Sequence, residues 1–267
     1  MSSDELKRMS SGLSSILDLI DCSPNGRRSV LGEETWSELC HKYYNRYQVH
    51  PGSLQPKIDE TLVIVENMVK ANKNNEARVY IKNVIKHNGA LKRQLNAVDF
   101  VLEVFEEQSY LFDPIVAKTL SENDYVTSAW LPLFKKCLFI NDNNVRALVG
   151  ETSNSYTTNK KTEVYCPKSV GFKIDIRFAT SINGKVFDVG AAEAAKTDPL
   201  TDKIIEDEGK LLCEGKDIVD KCLQTVLLEK ETSRVTGWII QLPGLSGHIY
   251  SIHLTRPGLY VAIPPII

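Results

Sequence analysis

An α+β fold, helical in its first half and carrying a mixed sheet in its second, is what the patterning of this 267-residue chain predicts. Three observations carry that expectation. Apolar residues recur at helical spacing from near the N-terminus to Ile140. The polar run Asn141-Asp142-Asn143-Asn144 then interrupts the pattern. Beyond it, Phe172 to Phe178 alternates apolar and polar residues with period two, as a half-buried strand does. The expected division is a helical domain at 1–140 and a sheet-bearing domain at 141–267.

Within the first half, Leu13, Ile16, Leu17 and Ile20 suggest a short helix ended by the turn residues Ser23-Pro24-Asn25-Gly26. A second helix is expected over 32–47, with Trp36, Leu39, Cys40, Tyr43 and Tyr47 on its buried side and Pro51-Gly52 as its stop. Further helices read from Ile58 to Val69, from Ala77 to Leu95, and from Val98 towards Asp113-Pro114. Residues 128–140 form an apolar stretch around Trp130 and Phe134 with Pro132 inside it, and the polar run 151–162 reads as a loop after a short helix.

In the second half, the strand at 172–178 is followed by the turn-like Ser181-Ile182-Asn183-Gly184 and a second strand from Lys185 to Val189, a plausible hairpin. Its exit, Gly190-Ala191-Ala192-Glu193-Ala194-Ala195-Lys196, puts a carboxylate and an amine at the strand end. A long amphipathic helix follows Pro199, buried through Ile204, Leu211, Leu212, Ile218 and Val219 and weakened by Gly209 and Gly215. Strands close the chain at 235–242, 248–254 and 259–263, the first two joined by a hairpin connection at 242–247.

Composition excludes more than it identifies. A net charge of -2 gives no global signature of a nucleic-acid or membrane binder, so such a surface would be a local patch. The six cysteines show no CxxC pair, which argues against a disulfide framework or a zinc site and for reduced thiols. No apolar run reaches the roughly 18 residues that span a bilayer, and the N-terminus has no signal-like core, so the expectation is an intracellular protein, nuclear or cytoplasmic, without a membrane partner. No HExxH, GxxxxGK[ST], GxGxxG or GxSxG pattern occurs, and the five histidines read as structural.

One basic stripe stands out. Residues 70–93 carry seven Lys or Arg against the single acid Glu76, and Arg78, Lys82 and Lys86 share a helical face. Cations four residues apart can meet successive phosphates of a nucleic acid. Equally, Asp99, Glu103, Glu106, Glu107 and Asp113, which follow, could neutralise a solvated face.

The chemistry concentrates in the hairpin. Two carboxylates on neighbouring strands can hold a divalent cation against a phosphate, and a nearby ammonium can position water or steady developing charge. Asp175, its spacing to Glu193, and Lys196 resemble the signature of the PD-(D/E)XK, or restriction-endonuclease-like, nuclease superfamily over about 145–254, with the helix that family places next. The resemblance implies a nuclease-like α/β domain hydrolysing phosphodiester bonds of DNA or RNA with Mg2+ or Mn2+. Asp175 and Glu193 would be metal ligands, Lys196 would orient the attacking water, and Glu151, from a preceding helix, would be an auxiliary metal ligand.

This chain departs from the family pattern in one respect: Glu193 and Lys196 are three residues apart, where the pattern separates acid and lysine by one residue. Some members carry the lysine on the following helix, where Lys210 or Lys216 would substitute. The alternative is a catalytically inactive nuclease-fold protein that binds a protein or nucleic acid.

Overall fold

The computed structural model describes residues 14–20, 27–47, 56–138, 145–153, 173–182, 184–198, 201–225 and 235–264, with backbone only at 138, 151–153, 201, 202 and 225. These form an α+β chain of two compact units, Met1–Val49 with Arg146–Ile267, and His50–Val145. The break after Val145 lies beside the expected one after 140. The first 49 residues, expected in the helical domain, belong instead with the sheet.

The sheet unit opens with β1 (Ile16–Asp18), α1 (Arg27–Leu31) and α2 (Glu33–Tyr47). The helix expected around Ile16 is a strand. A stretch as short as 13–20 is marginal as a helix on local bonds alone. Long-range bonds take it instead: Tyr260 N donates to Ser15 O, and Leu19 N to Ala262 O, each at 3.0 Å.

The helical unit contains α3 (Pro56–Lys70), α4 (Asn74–His87), α5 (Lys92–Glu107), α6 (Pro114–Ala117), α7 (Glu122–Tyr125) and α8 (Leu131–Leu138). Ile58, Val65, Ala77, Ile81, Leu91, Leu95 and Leu102 form its core, and the single helix expected from Ala77 to Leu95 is divided between α4 and α5 by the break at Asn88 to Leu91. Asp113 caps α6 through the Ile115 and Val116 amides, and Ser121 caps α7 in a capping box. Pro132 falls in the first turn of α8, after the π-helical turn Val126–Trp130, where its missing N–H costs little.

Arg78, on α4, is not available to phosphates. Its guanidinium meets Asp99 at 3.1 Å, Glu103 at 2.8 Å and Glu106 at 3.0 Å, all on α5. The neutralising reading of the basic stripe is the one the geometry bears out at this residue, because Arg presents a fork that several carboxylates can share. Lys82 and Lys86 remain exposed on α4.

From Arg146 the chain supplies β2 (Arg146–Ser153), β3 (Lys173–Ile182), β4 (Lys185–Ala195), α9 (Thr201–Thr225), β5 (Gly237–Pro243), β6 (His248–Arg256) and β7 (Leu259–Ile263). Together with β1 they make a seven-stranded sheet in the order β1-β7-β6-β5-β4-β3-β2. The β2–β3–β4 and β5–β6–β7 runs are antiparallel meanders, whereas β4 pairs with β5, and β1 with β7, in parallel. A parallel neighbour needs a crossover, and α9 is that crossover. No helix among the described residues is long and apolar enough to cross a membrane.

Both faces of the sheet are covered. Leu211, Leu212, Ile218 and Val219 of α9 pack on Ala191, Ile239, Ile252, Tyr260 and Ala262. On the opposite face Trp36, Tyr43 and Tyr47 of α2 meet Leu19, Val261 and Ile263. There Tyr47 stacks on buried His253 with ring centroids 4.4 Å apart, and burial holds His253 neutral down to a pKa of about 4. Cys40, Cys137, Cys213 and Cys222 are free thiols, while Cys22 and Cys166 lie outside the described residues.

Gly215 has a use that helix propensity hides. A Cβ there would come within 2.6 Å of Ile252, and one on Gly237 within 2.3 Å of the Gly215 carbonyl oxygen. The two glycines let α9 lie directly on β5. Replacing Gly237 with Ala drives a methyl into backbone, so Gly237→Ala is expected to destabilise the sheet unit by about 2 kcal/mol or more, read as a lower urea midpoint at unchanged slope. A midpoint within error of wild type would show that the contact is not tight.

Candidate acidic site on the β-ribbon

The β3–β4 ladder pairs Arg177 with Ala191 and Ile176 with Ala192, which puts Asp175 opposite Glu193 one step further along. The regular pairing ends there, and Asp175 Oδ2 accepts the Ala194 N–H at 2.9 Å. Directly opposed residues share a face of the sheet, with Cβ atoms about 4.5–5.5 Å apart. The two acids therefore converge. The bulge that sets this face lies on β4 at Val189, beside Gly190, where Phe178 pairs with Gly190 and Ala179 with Asp188.

The third acid takes an unexpected place. Glu151 lies on strand β2, not on a helix. Its strand is irregular between Val149, opposite Ile176, and Thr152, opposite Ile174. Gly150 and Glu151 thus both oppose Asp175, and the positive φ of 96° at Gly150 is what a glycine allows in such a bulge. The backbones of Glu151, Asp175 and Glu193 run in one row across β2, β3 and β4; the Glu151 side chain lies outside the described residues. Those at 154–162, expected as loop, do so entirely.

Glu193 is 4% exposed, and its Oε1 has no hydrogen-bond partner. Burial, then the Asp175 charge and hydrogen bond, then Asp207, push its pKa up to about 9, against a smaller opposing pull from the Lys210 ammonium. A proton or a cation is what such a pair requires, since a buried carboxylate facing a second, half-buried one cannot stay bare. The nearest strand cation does not serve. Arg177 is committed to Asp188, whose two oxygens it meets at 2.6 and 2.5 Å.

The lysines separate cleanly. Lys196 is exposed, one position beyond the last residue of β4, while Ala195 occupies the strand position that faces with Glu193. It is not beside the pair. Lys216 donates to Ser14 O at 3.0 Å and sits over the Tyr260 ring, a structural role. Lys210 is the one that reaches the acids: it meets Glu206 at 3.1 Å and Asp207 at 3.4 Å, and its charge acts on Glu193. Helix α9 brings it there because Gln241, paired with Glu193 in the ladder, donates to Ile204 O at 3.0 Å and fixes the first turns of α9 over β5.

Sequence reasoning missed Asp207 and Lys203. Asp207 is 1% exposed and meets Lys203 at 3.0 Å as well as Lys210. The signal was present, since Lys203, Asp207 and Lys210 fall at i−4, i and i+3 on one helical face.

Could these residues hold a divalent cation? The donor set is oxygen only, it contains a buried unpartnered carboxylate oxygen, and Mg2+ is commonly held by one or two carboxylates while keeping several waters. The set fits. It is a pair and not a cage: among the described residues no group of three or more His, Cys, Asp or Glu is arranged to hold a metal. No family model, curated protein or solved structure matches the chain, so the chemistry of the residues carries the reading.

A raised carboxyl pKa works against stability as pH rises: below 4.5 both folded and unfolded Glu193 are protonated, and between 4.5 and about 9 only the folded form retains the proton. Folding stability is therefore lost progressively over that window. Glu193→Gln is expected to stabilise the protein at pH 8 by about 1–3 kcal/mol without added metal, and to flatten the decline from pH 5 to pH 8 in thermal melts. An unchanged profile would mean that Glu193 is not held in this environment.

Proposed function

We propose that Asp175 and Glu193 are the cation-binding carboxylates of a nuclease-like site of the PD-(D/E)XK kind, hydrolysing phosphodiester bonds in nucleic acid with Mg2+ or Mn2+. One observation carries the reading: the convergence of these two acids, with a buried, unpartnered oxygen between strand and helix. The order of elements supports it too. An antiparallel ribbon followed by a helix is the arrangement the resemblance implies.

A divalent cation bound there would polarise the phosphate and acidify water. The chain's own residues would do the rest. Asp175 is anchored by the Ala194 N–H, and Glu193 lies between Asp175 and Gln241 in the ladder of β3, β4 and β5. Lys210, half-buried and steadied by Asp207, would donate from Nζ to the attacking water or to a phosphoryl oxygen. Gln241 and the surrounding alanines keep bulk water from Glu193.

A second reading is a nuclease-like fold without catalysis, working as a binding module for protein or nucleic acid. It is favoured by Ala195 standing where the family pattern places its lysine, and by the absence of a three-residue metal group among the described residues.

Cleavage of labelled DNA and RNA with Mg2+ or Mn2+ separates the two. Wild type is expected to cleave, with kcat lowered by about 10²-fold or more in Asp175→Asn and Glu193→Gln and by about 10–10²-fold in Lys210→Met, and Lys196→Met unaffected. Equal cleavage by wild type and Asp175→Asn, or none by a folded wild type across substrates, would overturn the catalytic reading.

A further inference from the structure

Helix α2 lies on the face of the sheet opposite α9, where Trp36, Tyr43 and Tyr47 pack on Leu19, Val261 and Ile263. Two phenol hydroxyls add bonds to backbone carbonyls: Tyr44 donates to Leu19 O at 3.1 Å and Tyr47 to Leu254 O at 3.3 Å. At the C-terminal end of α2 the seat is an imidazole. The Tyr47 ring lies on His253 with an interplanar angle of 14°, and the Arg46 guanidinium stands 5.0 Å from the centre of the same tyrosine ring. His253 is 3% exposed. Its Nε2 lies 3.0 Å from Ser251 Oγ, whereas its Nδ1 is buried with no hydrogen-bond partner.

We infer that His253 is an acid-sensitive latch for α2: a proton on the imidazole unseats Tyr47, and the C-terminal part of the helix leaves the sheet. An imidazolium carries a donor on each nitrogen. Ser251 Oγ can accept one, but the Nδ1 proton would be buried without an acceptor, and a charge that lacks its bonds is costly there. The neighbours offer no remedy. On α2 the charged groups at this seat are cations, Arg46 against Tyr47 and Lys42 against Tyr43, and its other titratable groups are those two phenols, a class that ionises only in alkali. Beside His253 on the sheet are Ser251 of β6, Val261 and Ile263 of β7 and Trp238 of β5, none of them charged. Stacking on Tyr47 would give an imidazolium a cation–π contact, but Arg46 already lies against that ring. Released, the imidazole regains water and takes a proton below about 6.5; seated, it stays neutral down to about 4, through burial alone. Between those values acid favours the released form. What α2 leaves behind is apolar, since Leu19, Val261 and Ile263 are each 0% exposed with the helix in place. The acidic pair lies on the α9 side of the sheet, so the latch does not depend on how that pair is read.

Hydrogen exchange of the full chain between pH 7 and pH 4.5 tests this, with protection factors corrected for the intrinsic rate at each pH. The α2 amides at 40–47 are expected to lose protection by up to about tenfold per pH unit below 6.5, while the β4 and β5 amides at 190–195 and 237–242 do not follow. In His253→Phe, which keeps a ring under Tyr47 without a titratable nitrogen, α2 protection should stay level over the same range. Level protection at 40–47 in wild type, a loss shared equally by β4 and β5, or an equal loss in His253→Phe would overturn the inference. Should His253→Phe fail to fold, proton resonance of the His253 imidazole in wild type decides. A midpoint below 6.5 that tracks the loss of α2 protection supports the latch; a midpoint at or above 6.5, or one unaccompanied by that loss, removes it.

Discussion

Burying Glu193 against Asp175 is the constraint on which the rest of the site depends. A carboxyl that is 4% exposed and faces a second carboxyl is unfavourable unless a proton or a cation accompanies it. The surroundings maintain that state. Arg177, on the same strand two residues from Asp175, is drawn away by Asp188, and Lys210 is drawn to Asp207 and Glu206. Cations that could have quenched the pair are thus committed elsewhere or held at its margin.

The fold supplies the means. Small residues, Ala191, Ala192, Ala194 and Ala195, bury the end of β4 and leave Glu193 as its one large polar group. The glycine pair Gly215 and Gly237 lets α9 settle on β5, and Gln241 ties the start of the helix to the same row of the ladder that contains Glu193. Position along α9 therefore translates directly into position over the acids. Asp207 and Lys210 arrive beside Glu193 because the helix is pinned at both places. On the opposite side of the acids, the β2 bulge at Gly150 brings the Glu151 backbone alongside Asp175.

Much of this was legible in the sequence, and the limits have physical causes. Period-two alternation from Phe172 to Phe178 gave the strand and the turn-like 181–184 gave the hairpin, while Glu193 read only as lying at the exit of the second arm, since β4 runs on to Ala195 past the expected end at Val189. The strand at Ile16 was not legible, since its partner, Tyr260 to Ala262, is distant in sequence and three apolar residues satisfy helix and strand patterns alike. Glu151 was misplaced on a helix because a bulge breaks the alternation that would have revealed β2. Arg78 looked like a phosphate contact when read along α4; only the packing of α5 beside it brings Asp99, Glu103 and Glu106 to its guanidinium. Lys203 and Asp207 had the right spacing, but helix-surface charges at i, i+3 and i+4 are common, and burial is what distinguishes them.

Direct titration of Mn2+ by electron paramagnetic resonance addresses the central claim with no assumption about substrate. Wild type is expected to take up one Mn2+ with loss of the free-ion signal, competed by Mg2+, and Asp175→Asn and Glu193→Gln to lose that uptake while remaining folded. Absence of uptake by wild type, or uptake undiminished in both variants, would contradict the account.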